Sequence, residues 1–167
     1  MVKTKTNLEE AFAGESQANR KYLAFAKKAE KEGLSNIARL FRAAADSETM
    51  HAMKHLQVMR GIKDTEGNLR EAIEGETYEL TSMYPQMIDE AEAEGETAAK
   101  MSFEHANAAE KVHAKLFEEA LSAVESGGDI QATDYYVCQI CGFAMEGEAP
   151  NKCPVCGATS DHFKKIE

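Results

Sequence analysis

Gly75-Glu76-Thr77-Tyr78-Glu79, followed by Tyr84, Gly95 and Glu110-Lys111-Val112-His113, repeats an earlier part of the same chain: Gly14-Glu15-Ser16, Tyr22, Gly33 and Glu48-Thr49-Met50-His51. The tyrosines, the later glycines and the Glu-x-x-His pairs recur 62 positions apart, whereas the lone glutamates recur after 61. A duplicated pattern of this kind builds one site from two similar halves. Its residue types, a carboxylate and then a carboxylate three places before an imidazole, are those that hold a pair of metal ions.

Working outward, each half reads as two helices. Thr6-Asn7-Leu8-Glu9 has the form of a capping box and opens the first, in which Leu8, Phe12, Tyr22, Phe25, Ala26 and Ala29 share an apolar stripe as far as Gly33. Ser35 is read as the cap of the second, carried by Ile37, Leu40, Phe41, Ala44, Leu56 and Met59 to Gly61. Asn68-Leu69-Arg70-Glu71 reads as the cap of a third, running through Ile73, Leu80, Met83, Met87 and Ile88 to Gly95. A fourth runs from about Glu96 to Ser126 and is ended by Gly127-Gly128-Asp129. The extra residue between Glu76 and Tyr84, beside Pro85, predicts a π-bulge or kink in the third helix. From near residue 130 the composition changes to Tyr, Val, Cys, Gly and Pro, which suits short strands and knuckles, so the expected domains are 1–130 and 131–167.

Charge and composition narrow the function. The 167 residues carry 29 acidic against 19 basic side chains, a formal charge of −10, with no basic cluster, which argues against nucleic acid or an anionic membrane as partner. No apolar run approaches a membrane span and the N-terminus lacks the apolar centre of a signal peptide, so the expected location is cytoplasmic. Absence of Trp and only three Pro favour helices.

Residues three apart share a helical face, so Glu48 with His51, and Glu110 with His113, can each approach a metal. Either pair alone is weak in so acidic a chain. The matching Glu15 and Glu76 in the preceding helices turn the two pairs into a set, and Glu79, on the face of Glu76 where the first half has Ala18, is the candidate extra ligand. Five carboxylates, Glu15, Glu48, Glu76, Glu79 and Glu110, repel one another unless two cations sit among them; iron suits the mixed oxygen and imidazole donors, and manganese remains an option. Tyr22 and Tyr84 lie about two turns beyond the lone glutamates, either bordering the metal pocket as hydrogen-bond donors or serving as core tyrosines. His55 and His105 read as ordinary helix residues.

All four cysteines form two knuckles, Cys138-Gln139-Ile140-Cys141-Gly142 and Cys153-Pro154-Val155-Cys156-Gly157. The paired spacing is a strong metal signal; it suits structural zinc and a single redox iron equally.

The whole chain resembles the rubrerythrins, through the Glu15, Glu48/His51, Glu76/Glu79, Glu110/His113 pattern and the two Cys-x-x-Cys-Gly knuckles. The four-helix ligand pattern is already known from ferritin-like dinuclear proteins, so this step is a match to a pattern. The resemblance implies an all-α four-helix ferritin-like bundle with a small β/knuckle rubredoxin-like C-terminal domain. It implies two Fe in an oxo- or hydroxo-bridged site and one Fe held by Cys138, Cys141, Cys153 and Cys156, with zinc or manganese as substitutes. The implied activity is that of a non-haem diiron peroxidase reducing hydrogen peroxide to water under oxidative stress. The resemblance further implies that electrons pass through the rubredoxin-like iron from rubredoxin or an NAD(P)H-linked reductase. Glu79, His51, Tyr22 and Tyr84 are the implied catalytic residues, Glu79 favouring oxidised iron and His51 reduced iron. A ferroxidase or iron-handling protein is the alternative.

Ferritin-like topology needs a connection spanning the bundle between its second and third helices. Residues 62–67 reach at most ~20 Å, whereas a helix of about 25 residues is roughly 37 Å long. The expected assembly is therefore a domain-swapped homodimer, with a simple up-down-up-down bundle as the other solution.

Overall fold

The computed structural model describes residues 2–167. It forms two compact units, the first ending at Lys63 and the second beginning at Asp64.

The first unit is a helical hairpin, α1 (Val2–Lys31) and α2 (Ser35–Val58). Its seam is made of alanines: Ala26, Ala29, Ala38, Ala45 and Ala52 are buried, and Asn19 is the buried polar residue among them. Small side chains let the two backbones approach closely. The longer apolar residues of the expected stripes stay largely uncovered, with Leu40 68% and Phe25 46% exposed, because a two-helix layer covers only the seam between its helices. The Asn19 amide crosses that seam, its Nδ2 donating to the Ala45 carbonyl at 2.7 Å and to Thr49 Oγ1 at 2.8 Å. Arg42 ties the hairpin outside by pairing with Glu30.

In the second unit α3 (Thr65–Tyr78) passes through a turn of π-helix (Glu79–Met83) into α4 (Tyr84–Glu94), and α5 (Thr97–Glu125) returns against all three. The π turn lies where the 61-to-62 mismatch places the added residue: the Tyr84 N–H bonds the Glu79 carbonyl, five residues back. Ala91, Ala109 and Ala114 line the seam, Lys100 pairs with Glu92 at 3.0 Å, and Arg70 joins Glu66 to Glu125.

The helix starts differ from the expected caps. The first helix already includes Val2, which leaves Thr6 inside it. Leu34, with no side-chain cap, precedes α2, and the Ser35 hydroxyl donates to Glu30 instead. Asp64 caps α3, accepting from the Gly67 N–H at 2.8 Å; a carboxylate there outcompetes Asn68 one turn later by also meeting the positive end of the helix dipole.

The C-terminal part of this unit is a three-stranded antiparallel sheet in the order β2-β1-β3, with β1 Tyr135–Cys138, β2 Ala144–Glu146 and β3 Phe163–Ile166. Tyr136 pairs with Met145 on one side and Lys165 on the other, and Cys138 with Phe163. This places the first knuckle at the end of the central strand.

Candidate metal centres

Each helical unit gathers three of the predicted ligands. In the first, Glu15 projects from α1 and Glu48 and His51 from α2; His51 Nδ1 lies 3.0 Å from Glu48 Oε2 and 3.7 Å from Glu15 Oε1. In the second, Glu76 projects from α3 and Glu110 and His113 from α5; His113 Nδ1 lies 2.8 Å from Glu110 Oε2 and 3.5 Å from Glu76 Oε2. Within each group, one donor atom from every residue lies within 4.8 Å of the others. Three-residue spacing on one helix supplies the carboxylate and imidazole, and the close alanine seam brings the lone glutamate to meet them.

Electrostatics of both groups call for a cation. The Glu15 carboxyl is pushed above its ordinary range, first by the hydrogen bond it shares with Glu48, then by burial and the Glu48 charge. Glu48 is held below, by that same bond and by His51. Glu76 is pushed up, first by burial and then by Glu110. Two adjacent carboxylates favour sharing one proton, and a metal ion does that proton's work with more charge. Glu76 Oε2 is also buried and makes no hydrogen bond, its imidazole neighbour His113 Nδ1 standing off at 3.5 Å, so a bound cation would satisfy it. The donor set therefore fits a metal.

Glu79 stands apart from the three-residue group. It is half-buried at the head of the π turn, and its charge acts on Tyr84, whose phenol is pushed up first by burial and then by Glu110, Glu79 and Glu76. The two tyrosines occupy matching places: the Tyr22 ring lies 6.2 Å from Phe41 at 35°, and the Tyr84 ring 6.3 Å from Phe103 at 36°. Phe41 and Phe103 thus extend the repeat, and their own 62-residue offset was the available signal.

The four thiols converge, with Cys138 Sγ 3.7 Å from Cys156 Sγ and Cys141 Sγ 3.6 Å from Cys153 Sγ. A tetrahedron of sulfurs around a metal at ~2.3 Å has edges of about 3.8 Å, so the cage already has metal-bound dimensions. The knuckles are alike: the Gly142 N–H bonds the Cys138 carbonyl and the Gly157 N–H the Cys153 carbonyl, both at 2.9 Å. Each glycine has positive φ, 82° and 74°, which a side chain would strain. Burial pushes the Cys153 thiol up, but the N–H groups of Cys156 and Val155 and the neighbouring thiols outweigh it and bring it down to about 7. Burial and proton sharing push Cys141 well up. With Cys153 brought down while Cys141 and Cys156 are pushed up, the cage is one in which a bound cation would take over the work of the shared protons.

Comparison with known proteins agrees with this geometry. The rubrerythrin family profile matches residues 6–121, and that of the rubrerythrin rubredoxin-like domain matches residues 136–164. Rubrerythrin-2 of Clostridium acetobutylicum is 36% identical, over 94% of this chain and 93% of its own length. Nigerythrin of Nitratidesulfovibrio vulgaris is 34% identical, over 96% and 85%. The structure of fully reduced, all-ferrous nigerythrin superposes with a TM-score of 0.57 at 34% identity, covering 98% of this chain and 86% of that one.

Proposed function

The chain belongs to the rubrerythrin family, and from that footing we propose that it is a non-haem diiron peroxidase, reducing hydrogen peroxide to two waters with two electrons and two protons. It is an oxidoreductase of ferritin-like helical fold, with a diiron carboxylate site and a rubredoxin-like tetrathiolate iron. The observation that carries the peroxidase reading is the coexistence of two carboxylate and histidine groups with a separate four-thiol cage. The first suits a two-electron substrate and the second a one-electron carrier.

When bound, iron would supply the two electrons, and a thiolate-held iron at Cys138, Cys141, Cys153 and Cys156 would replace them one at a time. Glu15, Glu48 and His51, with Glu76, Glu110 and His113, are assigned as the residues that hold the pair. Glu79 is assigned as the exchangeable ligand: its anionic carboxylate favours the higher charge of the oxidised ions, and neutral His51 the lower charge of the reduced ions. Tyr84 keeps its proton, because burial and three carboxylates oppose the phenolate. Its hydroxyl is therefore a hydrogen-bond donor suited to orienting peroxide oxygen, and Tyr22 is given the same part in the first half. Rubredoxin or an NAD(P)H-linked reductase is proposed as the external donor.

Two copies are proposed to form the working unit, with residues 7–61 of one and 68–126 of the other enclosing one dinuclear cage. Support comes from the short connection, residues 59–64 between α2 and α3. Support also comes from the large apolar side chains a lone copy leaves uncovered, among them Leu40 and Met50 of α2 and Met101 of α5.

The test is to reduce the iron-loaded protein without oxygen, add hydrogen peroxide, and follow the visible bands of both iron types. Rapid reoxidation of both supports the peroxidase. Reoxidation by dioxygen with release of ferric iron, and inertness to peroxide, would replace it with a ferroxidase.

A further inference from the structure

Asn107 is half-buried and carries a sealed polar atom that the metal chemistry leaves unused. Its Oδ1 is sealed from solvent and has no hydrogen-bond partner. On α5 it sits one turn before Glu110, and its counterpart 62 residues earlier is Ala45, a buried seam residue.

The contacts on either side locate what it faces. Phe103, one turn earlier on α5, packs on Tyr84, while Glu110 and His113, one to two turns later, meet Glu76. Position 107 therefore lies against the stretch between residues 76 and 84, which contains the π turn. The repeat sharpens this further. Ala45 is met by Asn19 in the first unit, and the residue 61 places after Asn19 is Leu80, inside the π turn.

The register of that turn calls for a donor the sequence does not supply. The Tyr84 N–H is given to the Glu79 carbonyl, and one further bond in that register would bring the N–H of residue 85 to the Leu80 carbonyl. Residue 85 is a proline and has no N–H to give. A half-turn of the Asn107 carboxamide, whose two ends have nearly the same shape, exchanges its orphaned oxygen for an NH₂ group. The first unit already shows this bond in mirror form, with the Asn19 Nδ2 donating to a seam carbonyl across the hairpin.

We propose that Asn107 is a positioning residue that latches the π turn to α5, its amide N–H meeting the carbonyl that Pro85 leaves without a partner, and so fixes where the turn presents Glu79. The latch is independent of the metal; its effect on turnover rests on the role given to Glu79 above.

The test compares N107L, P85A and the double variant in the iron-loaded full chain, with N107A in reserve should leucine disturb folding. Hydrogen–deuterium exchange is read at residues 79–88 against α1 and α2 as internal reference. N107L should speed exchange in that segment roughly tenfold by freeing the turn. P85A restores an N–H to position 85, so in its background N107L should change exchange by less than about twofold. Equal acceleration in both backgrounds, or none in the native background, overturns the latch. Peroxide turnover of N107L should fall several-fold with iron content retained, and E79A/N107L should be no slower than E79A. Should E79A alone leave turnover unchanged, the role of Glu79 fails while the exchange comparison still decides the latch.

Discussion

The two helical units carry the same three donors and differ in what surrounds them. In the first hairpin the His51 side chain is 54% exposed and α1 is regular throughout; in the second His113 is 31% exposed and the helix opposite it is broken by a π turn. The first half has Ala18 where the second has Glu79, and Ala45 where the second has Asn107. Duplication thus kept the groups that must hold metal in a common frame, while a single added residue re-aimed one helix of one half. An irregular turn costs regular backbone bonds, and it persists here beside an extra carboxylate and an orphaned amide. The second half is where Glu79, the ligand proposed to exchange, lies.

A direct challenge to the equivalence of the halves is complementation. H51A and H113A should each lower turnover at least ~100-fold, because each removes the sole imidazole of its group. In a domain-swapped dimer, a mixture that exchanges subunits contains some cages built from two undamaged halves, amounting to about one quarter of all cages. Turnover measured after refolding the two variants together should therefore recover to about that fraction of the native rate. No recovery would mean that both halves of a cage come from one chain.

The asymmetry itself is sharpened by E79A, which installs in the second half the residue type found at Ala18. Turnover should fall roughly tenfold with both helical metal ions retained, since the two three-residue groups remain complete. Stopped-flow oxidation by peroxide and metal analysis of the same sample check this. Loss of metal together with rate would make Glu79 a holding ligand like the others.

The grouping of Glu15 with Glu48 and His51, and of Glu76 with Glu110 and His113, was legible because its signal is local: a three-residue spacing on one helix and a fixed offset between helices survive without knowledge of packing. The π turn was legible for a related reason, as Glu76 and Tyr84 disagree by one residue with Glu15 and Tyr22. Burial was much less so. Helical periodicity marks Leu40 and Ala45 alike as apolar, yet Ala45 is sealed and Leu40 open, because only the seam position meets a neighbouring backbone. Caps were misplaced where two polar residues competed within one turn, as at Asp64 and Asn68. Asn107 was invisible because its counterpart is alanine, so the repeat that revealed the ligands concealed it.

The smallest expected effect concerns the clip in the regular half. Asn19 crosses the alanine seam by donating to the Ala45 carbonyl and to Thr49 Oγ1, while Thr49 also donates to Ala45 at 3.1 Å. Asn19→Ala leaves the Ala45 carbonyl with Thr49, so no backbone acceptor is orphaned outright, and the loss should be only ~1–2 kcal/mol of stability. Thermal unfolding of the iron-loaded protein measures it. Peroxide turnover should be unchanged, because α1 contains no irregular turn for the amide to hold. A fall in turnover comparable to that of the Asn107 variants would show that both amides position ligands, and that the two halves are more alike in mechanism than in backbone.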